Sequence, residues 1–302
     1  MPVLAVMALV AALHGDALHP GDHRRTLEVD GRQRSYRVHV PRGYDPSTPL
    51  PLVLAFHGGG ANPETMATFS GLSDKADEAG FFVVYPAGSG RFDRMLTFNA
   101  GNCCAYAAEQ RIDDVAFTRR ILDDMEAIAA VDRRRVFATG MSNGGMMAYR
   151  LAAELSDRIA AIASVGGPMG TTECHPHRAV SVMHVHGDAD EFAPFHGGRG
   201  RGFSGTEFHS VDHGIEAWVR ANGCDPLPVV GRLPDREDDG TTVRQVRYGG
   251  GRDGTEVVLL VVEGGGHTWP GREPRLRTLG VATRDISAND MIWEFFQRHP
   301  MR

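Results

Sequence analysis

The chain has 302 residues, long enough to bury a full core without metals or disulfides as staples. Its 42% hydrophobic and 23% charged content is that of an ordinary globular protein. A formal net charge of −6 gives no support to nucleic-acid or anionic-membrane binding, which would call for a basic patch.

Val3 to Leu13 is a continuous apolar run of 11 residues. That is too short to span a bilayer and suits the h-region of a signal peptide, with a small-residue cleavage site near Ala12 or Ala17. A basic n-region is missing, so a buried N-terminal segment is the alternative. The expectation is a signal peptide over residues 1–17, a secreted or periplasmic protein, and one catalytic domain over 18–302. Thr26 to Pro41 holds two alternating runs around Asp30-Gly31, which predicts a hairpin and antiparallel strands at one edge of a sheet. Leu50 to Phe56 reads as a buried strand entering His57-Gly58-Gly59-Gly60. Pro63 to Ala79 is helical in pattern, and Phe81 to Tyr85 is a second buried strand. Ile112 to Ala129 is an amphipathic helix with Asp113 and Asp114 in its first turn, where the dipole favours them. Arg133-Arg134-Arg135 reads as a solvated loop face before a strand over 135–139.

Gly140-Met141-Ser142-Asn143-Gly144 follows that strand and opens a helix over 145–155. G-x-S-x-G between a strand and a helix puts the serine on a sharp turn with its hydroxyl pushed outward. Ile159 to Val165 and Val180 to His186 predict two more strands, Val211 to Ala221 a helix, Thr255 to Val262 a strand and Ala288 to Arg298 a final helix. Gly197 to Gly205 and Asp235 to Gly240 read as surface loops. Alternating apolar strands and amphipathic helices make this an α/β chain, with a mainly parallel sheet covered on both faces.

A serine hydroxyl needs a positioned base to become a nucleophile. In the α/β-hydrolase order the acid comes second and the histidine last. Asp188 and Asp190 both follow the 180–186 strand, and Asp190 is preferred because it lies further into the loop. The alternative role of Asp188 is a turn residue bonding its own backbone. Of 14 histidines, His267 alone has a buried strand before it and a glycine loop around it this late in the chain. His299 reads as solvent-exposed, His184 and His186 as structural, and His57 as a loop-shaping hydrogen-bonder. The His57–Gly60 loop, through Gly58 or Gly59, and the N–H of Asn143 are the expected oxyanion donors. Trp269, close to His267, is read either as a packing surface for substrate or as a loop anchor. Cys103, Cys104, Cys174 and Cys224 allow two disulfides in three connectivities, or free thiols. No cysteine or histidine spacing suits zinc, and no metal or cofactor is expected.

Several stretches together resemble the polyhydroxybutyrate depolymerase and feruloyl esterase family of secreted serine esterases. They are Val131 to Val136 with Gly140 to Ala148, Gly101-Asn102-Cys103-Cys104 followed by Asp113-Asp114-Val115, His186 to Asp190, Gly265 to Gly271 and Ile286 to Phe296. The resemblance implies an α/β-hydrolase fold, a Ser142–Asp190–His267 triad, no metal and export from the cell. It also supports Asp190 over Asp188. The implied substrates are feruloylated or acetylated polysaccharide esters and short polyhydroxyalkanoates. No separate polymer-binding module is legible, which favours soluble or oligomeric esters. The alternatives are a prolyl-oligopeptidase-like peptidase, for which the chain is short of a gating domain, and a catalytically silent binding module.

Overall fold

A computed structural model describes residues 18–274 and 276–302. The expected signal peptide lies outside the described residues. The hairpin forms as β1 (Gly21–Val29) and β2 (Arg32–Val40), and Asp30 and Gly31 both take the positive φ that a two-residue hairpin turn needs. β3 (Leu50–Phe56) is buried almost throughout. The helical stretch after it is two helices, α1 (Pro63–Ser70) and α2 (Leu72–Ala79). They part at Gly71, whose φ of 65° is left-handed and caps α1. β4 (Phe82–Pro86) follows, then a short α3 (Ala105–Glu109) and α4 (Asp114–Ile128).

β5 (Val131–Met141) is longer than its apolar part, because it takes in Val131, Asp132 and the three arginines that read as loop. Then come α5 (Asn143–Glu154), β6 (Ala161–Val165), β7 (Ser181–Gly187) and a two-residue ladder of β8 (Gly198–Arg199) with β9 (Glu207–Phe208). α6 (Val211–Asn222), β10 (Val229–Arg232), β11 (Thr242–Tyr248), β12 (Val257–Glu263) and α7 (Ala288–Arg298) complete the chain.

Ten strands form one sheet in the order β1-β2-β4-β3-β5-β6-β7-β12-β11-β10. The central strands from β4 to β12 run parallel, as their continuous apolar sequences require. Both edges are antiparallel, not one: β1–β2 on one side and β11–β10 on the other. The second edge escaped sequence reading because β10 is four residues long and fully exposed, and β11 mixes charged residues with its valines. One face packs on α4, α5 and α6, through Phe117, Ile121, Leu151 and Trp218. The other packs on α1, α2 and α7, through Met66, Leu72, Ile292 and Phe296. The fold is that of the α/β-hydrolases, with the parallel strands delivering their C-terminal loops to one edge.

Asp114 links the fold to that edge. Its side chain is buried, accepts from Arg34 at 2.7 Å and from the Asn99 N–H at 2.7 Å. The Asn99 segment is thereby fixed beside Asn143, whose side-chain amide bonds both the N–H and the C=O of Phe98.

Candidate active site

Ser142 sits between the last residue of β5 and the first of α5, at φ 55° and ψ −122°. Such a conformation strains a residue with a Cβ and persists only where the surroundings enforce it. They do so by close approach. A Cβ on Gly144 would lie 2.1 Å from the Phe56 carbonyl oxygen, and one on Gly145 2.3 Å from the Ser164 hydroxyl. The glycines therefore let α5 press against β3 and β6, while the Ser142 N–H donates to Val165 at 2.8 Å.

The end of β7 and the loop after β12 approach just as closely. A Cβ on Gly187 would lie 2.2 Å from the Gly265 oxygen, and Ala189 N–H donates to that same oxygen. Asp188 is half of this clasp, its carboxylate accepting the Gly264 N–H at 2.7 Å. Asp190 faces the other way. It is buried, and its Oδ2 accepts from His267 Nδ1 at 2.6 Å. Its Oδ1 accepts the N–H groups of Phe192 and Ala193. Burial by itself raises this carboxyl, but hydrogen bonds from His186 and His267 outweigh it and hold the acid well below the usual carboxylate range.

With Nδ1 on Asp190, His267 keeps Nε2 free, and its ring and Ser142 line one cavity of about 420 Å³. Among the described residues the Ser142 hydroxyl makes no hydrogen bond, and serine–histidine bonds in unliganded sites are often long until substrate binds. Gly58, Gly59 and Asn143 line the same cavity, and their backbone N–H groups have no partner among the described residues. Gly59 and Asn143 approach closely, a Cβ on the glycine lying 3.7 Å from the Asn143 Cβ. The loop before them is held by His57, which donates from Nδ1 to the Gly58 oxygen and accepts the Gly88 N–H at Nε2. Burial pushes this imidazole down to about 4, so it stays neutral.

Trp269 is elsewhere. It is fully buried on the α7 side of the sheet, its indole N–H donates to Asn289 at 3.0 Å, and it does not line the cavity. The reading of Trp269 as a substrate contact is thus corrected to a loop anchor. His299 is also corrected: rather than lying exposed, it donates from Nδ1 to Phe295 and faces Glu256 at 3.3 Å. Cys103 and Cys104 stand side by side in the cavity wall, and Cys174 and Cys224 are free.

The apolar walls come mostly from residues that sequence reading passed over. Phe192 stacks on His267 with ring centroids 5.4 Å apart, and Phe203 closes over Gly60. Arg201 and Phe203 belong to the Gly197–Gly205 segment, which lines the cavity rather than being only a surface loop. Its one signal was a lone phenylalanine in a glycine- and arginine-rich run.

A family model described as esterase PHB depolymerase matches residues 34–195, a span holding Ser142, Asp190 and the glycine loop. The chain belongs to that family. Over 288 residues this family member is 34% identical to "Putative esterase NocK" of Nocardia uniformis subsp. tsuyamanensis, covering 90% of this chain and 81% of that one. It is 27% identical over 306 residues to feruloyl esterase C of Emericella nidulans, covering 98% and 97%. Among solved structures it resembles an acetyl xylan esterase from Aspergillus awamori, with a TM-score of 0.58 over 82% of this chain and 94% of that one. At 14% identity that likeness is one of fold. As a member of the esterase PHB depolymerase family, the protein is a carboxylic ester hydrolase.

Proposed function

We propose that the protein hydrolyses esters by two-step acyl transfer, with Ser142 as nucleophile, His267 as general base and Asp190 as the group that orients His267. The observation that carries this reading is the buried 2.6 Å bond from His267 to Asp190, which leaves the free ring nitrogen in the cavity that Ser142 lines. Ser142 attacks the ester carbonyl as His267 takes its proton, and Asp190 stabilises the resulting imidazolium. The oxyanion is received by the N–H of Asn143 and by one from Gly58 or Gly59, at the N-terminus of α5, where the helix dipole favours negative charge. His267 then protonates the leaving alcohol and activates the water that releases the acid. A Ser142→Ala variant should lose activity on p-nitrophenyl acetate by on the order of 10⁴-fold or more. A fluorophosphonate should label Ser142 in the native protein. A variant hydrolysing at the native rate would overturn the mechanism, and absence of labelling would point to a silent binding module.

The substrate class follows from the cavity. Phe69, Phe192, Phe203, Leu276 and Leu279 give it apolar walls, and Arg201 lines it as well. That suits an aromatic or medium aliphatic acyl group better than acetate alone. Esters derived from feruloylated polysaccharide, or short polyhydroxyalkanoate oligomers, fit this description, and the feruloyl esterase relative supports the first. A panel of methyl ferulate, acetylated xylan, hydroxybutyrate oligomers, p-nitrophenyl esters of rising length and peptide amides decides among them. Preference for the amides would restore the peptidase reading. We place residues 18–302 in one catalytic domain and the protein outside the cytoplasm, on the strength of the apolar Val3–Leu13 run. Sequencing the N-terminus of the exported protein tests the latter.

A further inference from the structure

Behind Asp190, on the side away from His267, the core holds three more polar side chains in a line. His184 and His186 are two residues apart on β7, so both rings project to one face of the sheet, towards α5. They stack with planes 5° apart and are buried. The hydroxyl of Tyr149, on α5, lies 2.8 Å from His184 Nδ1. His184 Nε2 lies 2.8 Å from His186 Nδ1. His186 Nε2 reaches Ala193 O at 2.7 Å and Asp190 Oδ2 at 3.3 Å. A face of this kind is ordinarily filled with valine or leucine, because each buried polar atom costs free energy unless it is paired.

The far end of the line sets its direction. The Ala193 carbonyl and the Asp190 carboxylate can only accept, so His186 Nε2 carries a hydrogen. Burial, and then the neighbouring His186, push His184 well below the ordinary imidazole range, so this ring is neutral. Where His186 carries its single hydrogen on Nε2, its Nδ1 accepts from His184 Nε2. His184 Nδ1 must then accept, and the Tyr149 hydroxyl donates to it. Every hydrogen in the line points toward Asp190, an arrangement in which each bond polarises the next.

We propose that Tyr149, His184 and His186 are positioning residues for the ester hydrolysis, a one-way chain of donors that fixes the Asp190 carboxylate beneath His267. The proposal rests on the Ser142–Asp190–His267 reading above and extends it three residues into the core. Its chemical content is the His186 Nε2–H, which donates to the Ala193 oxygen at 2.7 Å and stands 3.3 Å from the carboxylate, where its dipole adds to three hydrogen bonds. Oδ1 is taken by two backbone N–H groups and Oδ2 by His267, with His186 Nε2 3.3 Å from Oδ2. Removing the His186 donor leaves more negative charge on Oδ2 for His267 to face, which favours imidazolium over neutral imidazole. The other titratable groups facing the line are Cys174, which lies near Tyr149, and His267 beyond Asp190.

The test uses the full chain and p-nitrophenyl acetate. His186→Leu should lower the plateau of kcat/KM roughly tenfold, the scale of one hydrogen bond to a charged group. It should also move the acid limb of the pH profile to higher pH. His186→Gln, whose amide can donate from nearly the same place, should bring the limb back. Tyr149→Phe, which removes one oxygen atom, should move the limb the same way by less. A purely structural role would lower stability and leave the limb in place, so an unmoved limb in His186→Leu and Tyr149→Phe overturns the proposal. Should His186→Leu fail to fold, ¹⁵N NMR of the native protein decides: hydrogens on Nε2 of both rings are expected, and a hydrogen on His184 Nδ1 reverses the chain and refutes it. Asp190→Asn belongs in the same series. Near-native activity there would remove the triad reading itself, whereas an inactive Asp190→Asn beside unaltered His186 and Tyr149 variants would remove the donor chain alone.

Discussion

Asp188 and Asp190 stand two positions apart with opposite duties, and only their partners tell them apart. Asp188 ties two loops by accepting the Gly264 N–H, and Asp190 meets His267 in the interior. Asp190→Asn should therefore lower kcat by about 10⁴-fold, because an amide can hold the wrong imidazole tautomer. Asp188→Asn should leave kcat within a small factor of native and lower the melting temperature, and steady-state kinetics with thermal unfolding would check both. Ser142 and His267 were legible in the sequence because the backbone contacts around them exclude any Cβ, which leaves glycines on both sides of the serine and before the histidine. Trp269 was not legible in that way. Two positions beyond His267 the chain has turned, with Thr268 N–H bonded back to Gly266, and the indole passes to the other side of the sheet. Nearness in sequence to a reactive residue carried no information about which face the ring would take. The same limit hid the connection of His184 and His186 to Asp190, since a run of alternating residues on a strand shows which side chains share a face and not what they meet there.

Elements with a continuous apolar core were read almost to the residue, as β3 and β7 show. Those whose sequence carries no period were missed, and they include both the β10–β11 edge and the segment around Phe203. An edge strand open to solvent has no need of alternation, and a cavity lip is shaped by where the sheet delivers it. One of these lines the cavity of the proposed site. Phe203 is exposed at the lip and touches the glycine loop, so a ligand would cover it. Phe203→Ala is expected to raise KM for an aromatic or long acyl ester about 10-fold, the scale of a lost apolar contact of one to three kcal/mol, with little effect on acetate. Equal losses on both esters would mean that the ring supports the loop and not the substrate. Trp269→Phe gives the contrasting case. Loss of its bond to Asn289 should reduce thermal stability by about 1 kcal/mol and leave KM unchanged.

Across the whole molecule, buried neutral histidines make stability depend on pH. The imidazole of His57 lies at about 4 in the fold against 6.5 when free. As pH falls the unfolded chain takes up this proton first, so stability is lost from about pH 6.5 downward and levels off below about pH 4. His184 acts in the same direction. Urea unfolding between pH 7 and pH 4 should show His57→Gln losing less than the native protein, by up to about 3 kcal/mol at the acid end. Equal pH slopes would show that His57 titrates alike in both states. The parallel centre of the sheet also has a consequence for how the chain may be cut. The strands leading to the proposed acid and base, β7 and β12, are direct neighbours, and the Asp188–Gly264 bond joins their ends. The chain between them, including α6 and the antiparallel edge strands β10 and β11, is an excursion that ends back beside β7. The exposed turn near Asp238 is therefore a place where the backbone could be nicked, or a foreign domain spliced in, with the two halves of the site still clasped together by the sheet.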